Sequence, residues 1–171
     1  MITENPVTQA IKSRRSIRHF TEEPVCDEEI DQIIESGMWA PSGKNNQPWK
    51  FAVIQDTGLR ASLTPLTHYG SIIQSASVCI AVFLDHSRVY DRTKDIQAAG
   101  AAIQNMLLTI HSLGLGGVWL GEILKNKERV GEILGAGKDL ELMAVIALGH
   151  PKEKAGRQQR DRLEDRVFLR K

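Results

Sequence analysis

The stretch YDRTKDIQAAGAAIQNMLLTIHSLGLGG, residues 90–117, predicts the longest helix of the chain. Its small and apolar side chains surround most of the helix instead of forming one stripe: Ala98, Ala99, Ala101, Ala102, Ile103, Met106, Leu107, Ile110 and Leu113. A helix that is apolar on nearly every side is expected to be buried on nearly every side. In a chain of 171 residues this is easiest to understand if a second subunit covers part of the helix, and the alanines would permit close helix contact.

The segments on either side of this helix mix helices and strands without the strict order of a doubly wound sheet. Amphipathic or capped patterns predict helices within VTQAIKSR (7–14), from Asp27 to a stop at Gly37 and Pro41, and within NKERVGEILG (126–135). Apolar runs predict strands at KFAVIQD (50–56), ASVCIAVFLD (76–85), GVWLG (117–121) and LELMAVIALGHP (140–151). We therefore expect an α+β fold with an antiparallel or mixed central sheet.

Composition sets the bounds on size and location. The length and the 42% hydrophobic content suit one domain over residues 1–171 with a single sizeable core. The 22 basic and 21 acidic residues nearly cancel, so neither a nucleic-acid partner nor a membrane surface is expected, and any anion site must be local. Cys26 and Cys79 fit no metal spacing, and no signal or membrane span is evident, which favours a cytoplasmic protein.

A local basic cluster occurs in IKSRRSIRHF, residues 11–20. Arg14, Arg15 and Arg18, together with the Ser16 hydroxyl, suit one phosphate, because arginine offers forked donors and serine adds a hydrogen bond without charge. The alternative is a solvated basic turn. RNA binding is a weaker alternative, since no aromatic side chains are interleaved with the charges.

A second polar motif is WAPSGKNNQPW, residues 39–49, in which turn-forming and amide residues lie between two tryptophans. Asn and Gln side chains donate and accept hydrogen bonds together, as recognition of a flavin imide edge or a nucleobase edge requires. The alternative is that these amides cap the ends of helices and strands. The segment is not a phosphate-binding P-loop, because neither the upstream glycine nor the Ser or Thr after Lys44 is present.

RRSIRHF followed by APSGKNNQPW resembles the signature of the nitroreductase family, the FMN-dependent NAD(P)H oxidoreductases. The resemblance continues through DIQAAGAAIQNMLLTIHSLGLGGVWLG (95–121) and VIALGHP (145–151) with its basic tail, and so covers nearly the whole chain. It implies a nitroreductase-like fold: a mostly antiparallel sheet flanked by helices in an intertwined homodimer. It also implies non-covalent FMN at the subunit interface and NADH or NADPH as electron donor.

The resemblance implies roles for particular residues. Those implied to bind FMN are Arg14, Arg15, Ser16 and Arg18 at its phosphate and ribityl end, Arg160 returning to the phosphate, Pro41, Ser42, Gly43 and Asn45 from the other subunit, and Leu120 and Gly121 along the isoalloxazine. Tyr69 and Ile72 stand where many longer relatives have an Asn and a Lys that reach the flavin. The order Gly121–Glu122 reverses the Glu-Gly of one branch.

The implied reaction passes hydride from the nicotinamide to flavin N5 and then electrons to a nitroaromatic, a quinone or a related small electrophile, by a ping-pong mechanism. The alternative is a flavin-binding, flavin-remodelling or dehalogenase-like member with little NAD(P)H turnover. His68, Tyr69 and His111 are candidates for a catalytic acid, but no pattern singles one out. No histidine has metal-ligand spacing, so no metal is expected. The apolar residues of RVFLR (166–170) are expected to reach a partner subunit.

Overall fold

The computed structural model describes residues 5–153, 156 and 159–171. Six helices, α1 to α6, span Pro6–Ser13, Asp27–Met38, Thr57–Leu63, Gly70–Ser75, Arg92–Ser112 and Lys127–Ile133. Four strands, β1 to β4, span Trp49–Ile54, Val78–Asp85, Gly116–Leu120 and Leu140–Gly149. Short 3₁₀ turns lie at Gly43–Asn45, Thr64–Leu66, Glu122–Asn126 and Leu163–Asp165.

The four strands form one antiparallel sheet in the order β1-β2-β4-β3. Every residue of the central strand β2 is buried, as its continuous apolar run predicts for a strand covered on both faces. Helices α2 and α5 cover one face, where Ile33, Ile103 and Met106 pack on Ile80 and Ile146. The other face is covered by residues of α3, α4 and α6. The predicted α+β architecture, with a sheet flanked by helices, is therefore confirmed.

Helix α5 is buried on one side only within a single chain. Ala98, Ala102 and Met106 lie in the interior. The opposite side is partly open, with Ala101 and Leu108 half-buried and Ile96 39% exposed. Helix α5 therefore has more apolar surface than one chain buries. The predicted second subunit would bury this surplus.

Two further apolar segments lie open on the same chain. Helix α1 begins after Asn5, whose Oδ1 accepts from the Thr8 N–H at 2.9 Å, but its apolar residues Val7 and Ile11 are 65% and 51% exposed. In the tail no strand follows the turn at Leu163–Asp165 among the described residues, and Phe168 is 98% exposed. The tail's contact with a partner stays a prediction.

Helix α2 ends at Met38, between the two predicted stop residues Gly37 and Pro41. A Cβ on Gly37 would come within 2.8 Å of Met106 Cγ, so this glycine permits close packing of α2 on α5. Helices α3 and α4 were not predicted. None of the helices in the described ranges is long and apolar enough to cross a membrane.

Candidate functional site

The arginine-rich segment after α1 is fixed across the ends of two strands. The Ile17 N–H donates to the Gly117 carbonyl at 3.1 Å, and the Thr21 N–H donates to the His150 carbonyl at 2.9 Å. The close approach requires glycine on the sheet, since a Cβ on Gly116 would lie 2.7 Å from the Cβ of Ile17. The backbone bearing the basic cluster is thus held rigidly where β3 begins and β4 ends.

A cleft of about 700 Å³ opens beside this segment. Its wall is formed by the end of α1, the end of α5 and the chain that follows β4: Ser13, Arg15, Ile17, His111, Gly114, Leu115, Pro151, Lys152, Glu153 and Gly156. Among the residues that the structure describes, the charged members of this lining are Arg15, Lys152 and Glu153. The cleft is therefore suited to a negatively charged ligand.

Arg14 and Arg15 have no carboxylate partner within the described residues. Nε of Arg14 is buried without any hydrogen bond there, and Nη1 of Arg15 donates to the Lys12 carbonyl at 2.6 Å and to the Arg14 carbonyl at 2.8 Å. Burial, and then the charges of Arg15 and Arg160, lower the pKa of Arg14 from its usual value. Cations held together in this way, with a buried N–H to satisfy, fit a phosphate group.

The other residues predicted at this end are placed differently. Ser16 is half-buried and pairs with Gly117 in an isolated parallel bridge, whereas Arg18 is exposed. Arg160 is distant in sequence, yet its charge, after burial and Arg15, contributes to the lowered pKa of Arg14. The contacts of these residues with FMN stay predictions.

Sequence reasoning did not place His111 in this cleft. Its Nε2 lies 2.8 Å from the Ser13 hydroxyl oxygen, although the two residues are 98 positions apart. Burial, and then the charges of Arg14 and Arg15, lower the pKa of His111. The sequence feature that could have indicated this contact is the position of Ser13 directly before the arginine pair, and it is a weak indication.

The second motif folds into a loop of unusual backbone conformation. Lys44, Asn45 and Gln47 have φ values of 55°, 55° and 47°, the left-handed region that residues with a Cβ seldom occupy. The Ser42 hydroxyl oxygen accepts from the Gln47 N–H at 3.0 Å. A side chain at Gly43 would overlap the Tyr90 hydroxyl, so it could be accommodated only if the exposed Tyr90 ring moved away from the loop.

A buried carboxylate anchors this loop to α5. Asn46 Nδ2 donates to Asp95 Oδ1 at 2.7 Å, and the N–H groups of Tyr90 and Asp91 donate to Asp95 Oδ2 at 2.9 and 3.0 Å. Asp95 is fully buried. Burial alone would raise the pKa of Asp95, but these hydrogen bonds outweigh it and lower the pKa. The Asn46 amide is therefore occupied by contacts within the chain, while Asn45 is exposed.

One chain does not bring the two motifs together. Residues 41–43 border a shallow depression beside Gln97, Ala98 and Ala101 of α5, whereas His111 of the same helix lines the cleft. Gln97 and His111 are 14 positions apart, which is about 20 Å along an α-helix. Pro41, Ser42, Gly43 and Asn45 therefore lie too far from Arg14 and Arg15 to hold one phosphate group with them.

The segment after β3 is open beside a well-anchored turn. Leu120 is buried, whereas a Cβ on Gly121 would meet nothing within 4 Å. The Glu122 carboxylate accepts from the Thr67 hydroxyl at 2.6 Å and from the His68 N–H at 3.0 Å. Hydrogen bonds from Lys125 and then Thr67 lower the pKa of Glu122 to about 2. This stable carboxylate fixes the turn that Gly121 begins.

Tyr69 and Ile72, which stand where many longer relatives have an Asn and a Lys, differ in exposure. Tyr69 is 46% exposed, whereas Ile72 is buried in the core against the sheet, so Ile72 has no surface to offer a ligand. Across the described ranges, no group of three His, Cys, Asp or Glu side chains is arranged to hold a metal ion.

Comparison with known proteins adds three findings. A sequence profile of the Nitroreductase family matches residues 11–70 and 66–150. A crystal structure from Desulfovibrio desulfuricans, of a protein assigned as a nitroreductase in complex with FMN, is 47% identical, with a TM-score of 0.94 over 99% of each chain. A protein of Methanothermobacter thermautotrophicus, named as an NADH dehydrogenase/NAD(P)H nitroreductase, is 34% identical over 173 residues, 99% of this chain and 90% of the relative.

A further relative has a narrower name. The oxygen-insensitive NADPH nitroreductase of Salmonella typhimurium is 32% identical over 161 residues, which covers 87% of this chain and 67% of that protein. The family profile spans both the arginine segment and the loop at residues 41–47.

Proposed function

The chain belongs to the nitroreductase family, and from this premise we propose that it is an FMN-dependent oxidoreductase that reduces small electrophiles with NADH or NADPH. Nitroaromatics and quinones are the proposed acceptor class. FMN, when bound, supplies a ring that accepts hydride from the nicotinamide and gives electrons to the second substrate.

The observation that carries this proposal is the pair of neighbouring guanidinium groups of Arg14 and Arg15, of which Arg15 lines the cleft. Arg14 and Arg15 have no carboxylate partner among the described residues, and Nε of Arg14 is buried and unsatisfied. A phosphate monoester would satisfy that N–H and offset the repulsion between the two cations. FMN has such a phosphate, and the cleft of about 700 Å³ has room for more than the phosphate alone.

The separation of the two motifs supports a homodimer with FMN at the subunit interface. In this proposal Arg14, Arg15, Ser16, Arg18 and Arg160 come from one copy, with Leu120 and Gly121 of that copy along the isoalloxazine. Pro41, Ser42, Gly43 and Asn45 come from the second copy, because about 20 Å of helix separates them from the cleft within one chain. The open apolar side of α5 and the exposed Val7, Ile11 and Phe168 are surfaces that the second copy would cover.

We propose a ping-pong sequence, in which the oxidised nicotinamide leaves before the acceptor binds at the same flavin ring. Tyr69 is exposed beside the turn that Glu122 anchors. Neither Tyr69 nor His68 has the role of a catalytic acid in this proposal. The residues bind and orient the cofactor, and proton delivery from solvent suffices. A cytoplasmic location stays a prediction, in keeping with the free thiols of Cys26 and Cys79.

The test is an absorbance spectrum of the purified protein between about 300 and 550 nm, repeated after anaerobic addition of NADH and then NADPH. We expect a flavin band that bleaches with at least one of the two donors. A flavin band that neither donor bleaches would support the alternative of a flavin-binding or flavin-remodelling member. Absence of the band even after added FMN would overturn the proposal.

A further inference from the structure

The cleft contains a titratable pair that the proposed function does not use. His111 lies in the last turn of α5 and Ser13 is the last residue of α1, and both line the cleft with Arg15 and Lys152. Their side chains are joined by the 2.8 Å contact between Ser13 Oγ and His111 Nε2.

The hydrogen bonds of Ser13 determine which nitrogen of His111 carries the proton. Ser13 Oγ also lies 2.7 Å from the carbonyl oxygen of Gln9, which can only accept. A hydroxyl has one hydrogen, so Ser13 donates it to Gln9 and must accept from His111. Neutral His111 is therefore protonated at Nε2, and its Nδ1 is the site at which a second proton can be added.

The charged groups around His111 disfavour its doubly protonated form unless an anion binds nearby. Arg14 and Arg15 at the end of α1 repel an imidazolium, and Lys152 and Glu153, which follow β4, line the same cleft with opposite charges. Arg160 of the tail adds positive charge near Arg14. The carboxyl end of α5 favours a cation at His111, but burial and the two arginines outweigh it, since the pKa of His111 is lowered.

We propose that His111 is part of the anion site and takes up one proton at Nδ1 when a phosphate monoester binds at Arg14 and Arg15. The inference rests on the proposed FMN function and goes beyond it by coupling cofactor binding to proton uptake. A phosphate monoester has a charge of about −1.5 to −2 near neutral pH, enough to offset the two guanidinium charges that repel an imidazolium. The imidazolium still donates from Nε2 to Ser13, so the proton is gained from solvent without rearrangement of the pair.

The coupling has a definite sign. Because the pKa of His111 is higher with the phosphate bound than without it, the affinity for FMN gains a contribution as the pH falls through that interval. Protonation of the phosphate itself acts in the opposite sense at acid pH. The comparison must therefore be made between the native protein and a variant that lacks only the imidazole.

The first experiment measures the Kd of FMN from fluorescence recovery on dilution of the FMN-loaded protein, at pH values from about 5.5 to 8.5, for the native chain and for His111→Gln. Gln retains a nitrogen that can donate to Ser13 but cannot gain a proton. We expect the ratio of the variant's Kd to the native Kd to rise about fivefold or more between pH 8 and pH 6. His86→Gln is the matched control, because His86 pairs with Glu141 outside the cleft. Its profile should run parallel to the native one.

The second measurement needs no variant that must fold. The ring-proton resonance of His111 is titrated by NMR in the native chain loaded with FMN and with riboflavin, which has the same ring but no phosphate. We expect a higher pKa with FMN. Equal values, or parallel Kd profiles for the native chain and His111→Gln, would overturn the coupling while FMN still binds. If FMN fails to bind at any pH, the proposed function itself fails.

Discussion

Arg14 has a half-buried guanidinium whose Nε lacks a hydrogen-bond partner among the described residues. Such a buried donor costs about 1–3 kcal/mol when it is left unsatisfied. Arg15 adds a second positive charge at the next position, and its own charge lowers the pKa of Arg14. An arrangement that is unfavourable in the free chain and favourable with a phosphate is typical of a binding site and not of a solvated turn.

Replacing Arg14 with Ala should therefore weaken FMN binding by about 1.5–3 kcal/mol, because a charge-assisted hydrogen bond to the phosphate is lost. The Kd of FMN, measured by fluorescence quenching, should rise about 10- to 150-fold. Arg129→Ala is the control, since Arg129 is exposed on α6 and paired only with Glu132. An unchanged Kd in the Arg14 variant would return the cluster to the alternative of a solvated basic turn.

At the scale of elements, sequence pattern was sufficient wherever a segment was long or continuously apolar. The all-apolar run of β2 and the long pattern of α5 each allow one reading, and both elements form as predicted. Helices α3 and α4 have only seven and six residues, too few for a helical period to stand out. The packing of Gly37 against Met106 could not be predicted, because it depends on a helix far away in sequence.

The loop at residues 41–47 is the element whose shape the sequence could not supply. Its three left-handed residues are maintained by tertiary contacts, above all by the bond from Asn46 to the buried Asp95, 49 positions away. The composition indicated a polar loop, but local propensity does not favour this backbone. The loop is consequently a strained element held by one buried carboxylate.

Replacing Asn46 with Ala should release this loop. Asp95 Oδ1 loses its amide donor, so we expect the free energy of unfolding to fall by about 1–3 kcal/mol in urea titrations and FMN affinity to fall with it. Asn126→Ala is the control: its amide donates to the Leu66 carbonyl at 2.8 Å, far from the loop, whereas the amide of Asn46 donates both to Asp95 and to the Arg88 carbonyl at 2.9 Å. The control should lose stability while retaining FMN affinity, and equal losses of affinity in both variants would count against the loop's role.

At the scale of the whole molecule, the sequence contained both site motifs but not their relation in space. Each motif is local and was recognisable by its residues. The two motifs are separated along α5, because the loop borders the first half of this helix and the cleft borders its end. The contact of Ser13 with His111 likewise joins positions that no local pattern connects. The surplus apolar surface of α5 and the apolar residues of RVFLR (166–170) both pointed to a second copy, and the open side of α5 in one chain agrees with the first of these features.

Complementation between two defective copies would decide whether the site is shared between subunits. Arg14→Ala removes the phosphate contact from one copy, and Gly43→Val alters the loop of the other, because a side chain at Gly43 would displace the Tyr90 ring that packs on it. If FMN is bound by Arg14 of one copy and the loop of its partner, each variant alone binds FMN poorly. A mixed dimer, however, has one site in which both parts are intact.

Random pairing of equal amounts makes about half of the dimers mixed, so co-expression should restore about one quarter of the native FMN content, measured by absorbance per protein chain. Co-expression of Arg14→Ala with Arg15→Ala is the control, since both changes fall in the same half of the site and no intact combination arises. Circular dichroism of each variant checks that the fold persists. If the Arg14 and Gly43 pair restores no more FMN than this control does, the loop and the arginines do not meet across a subunit interface.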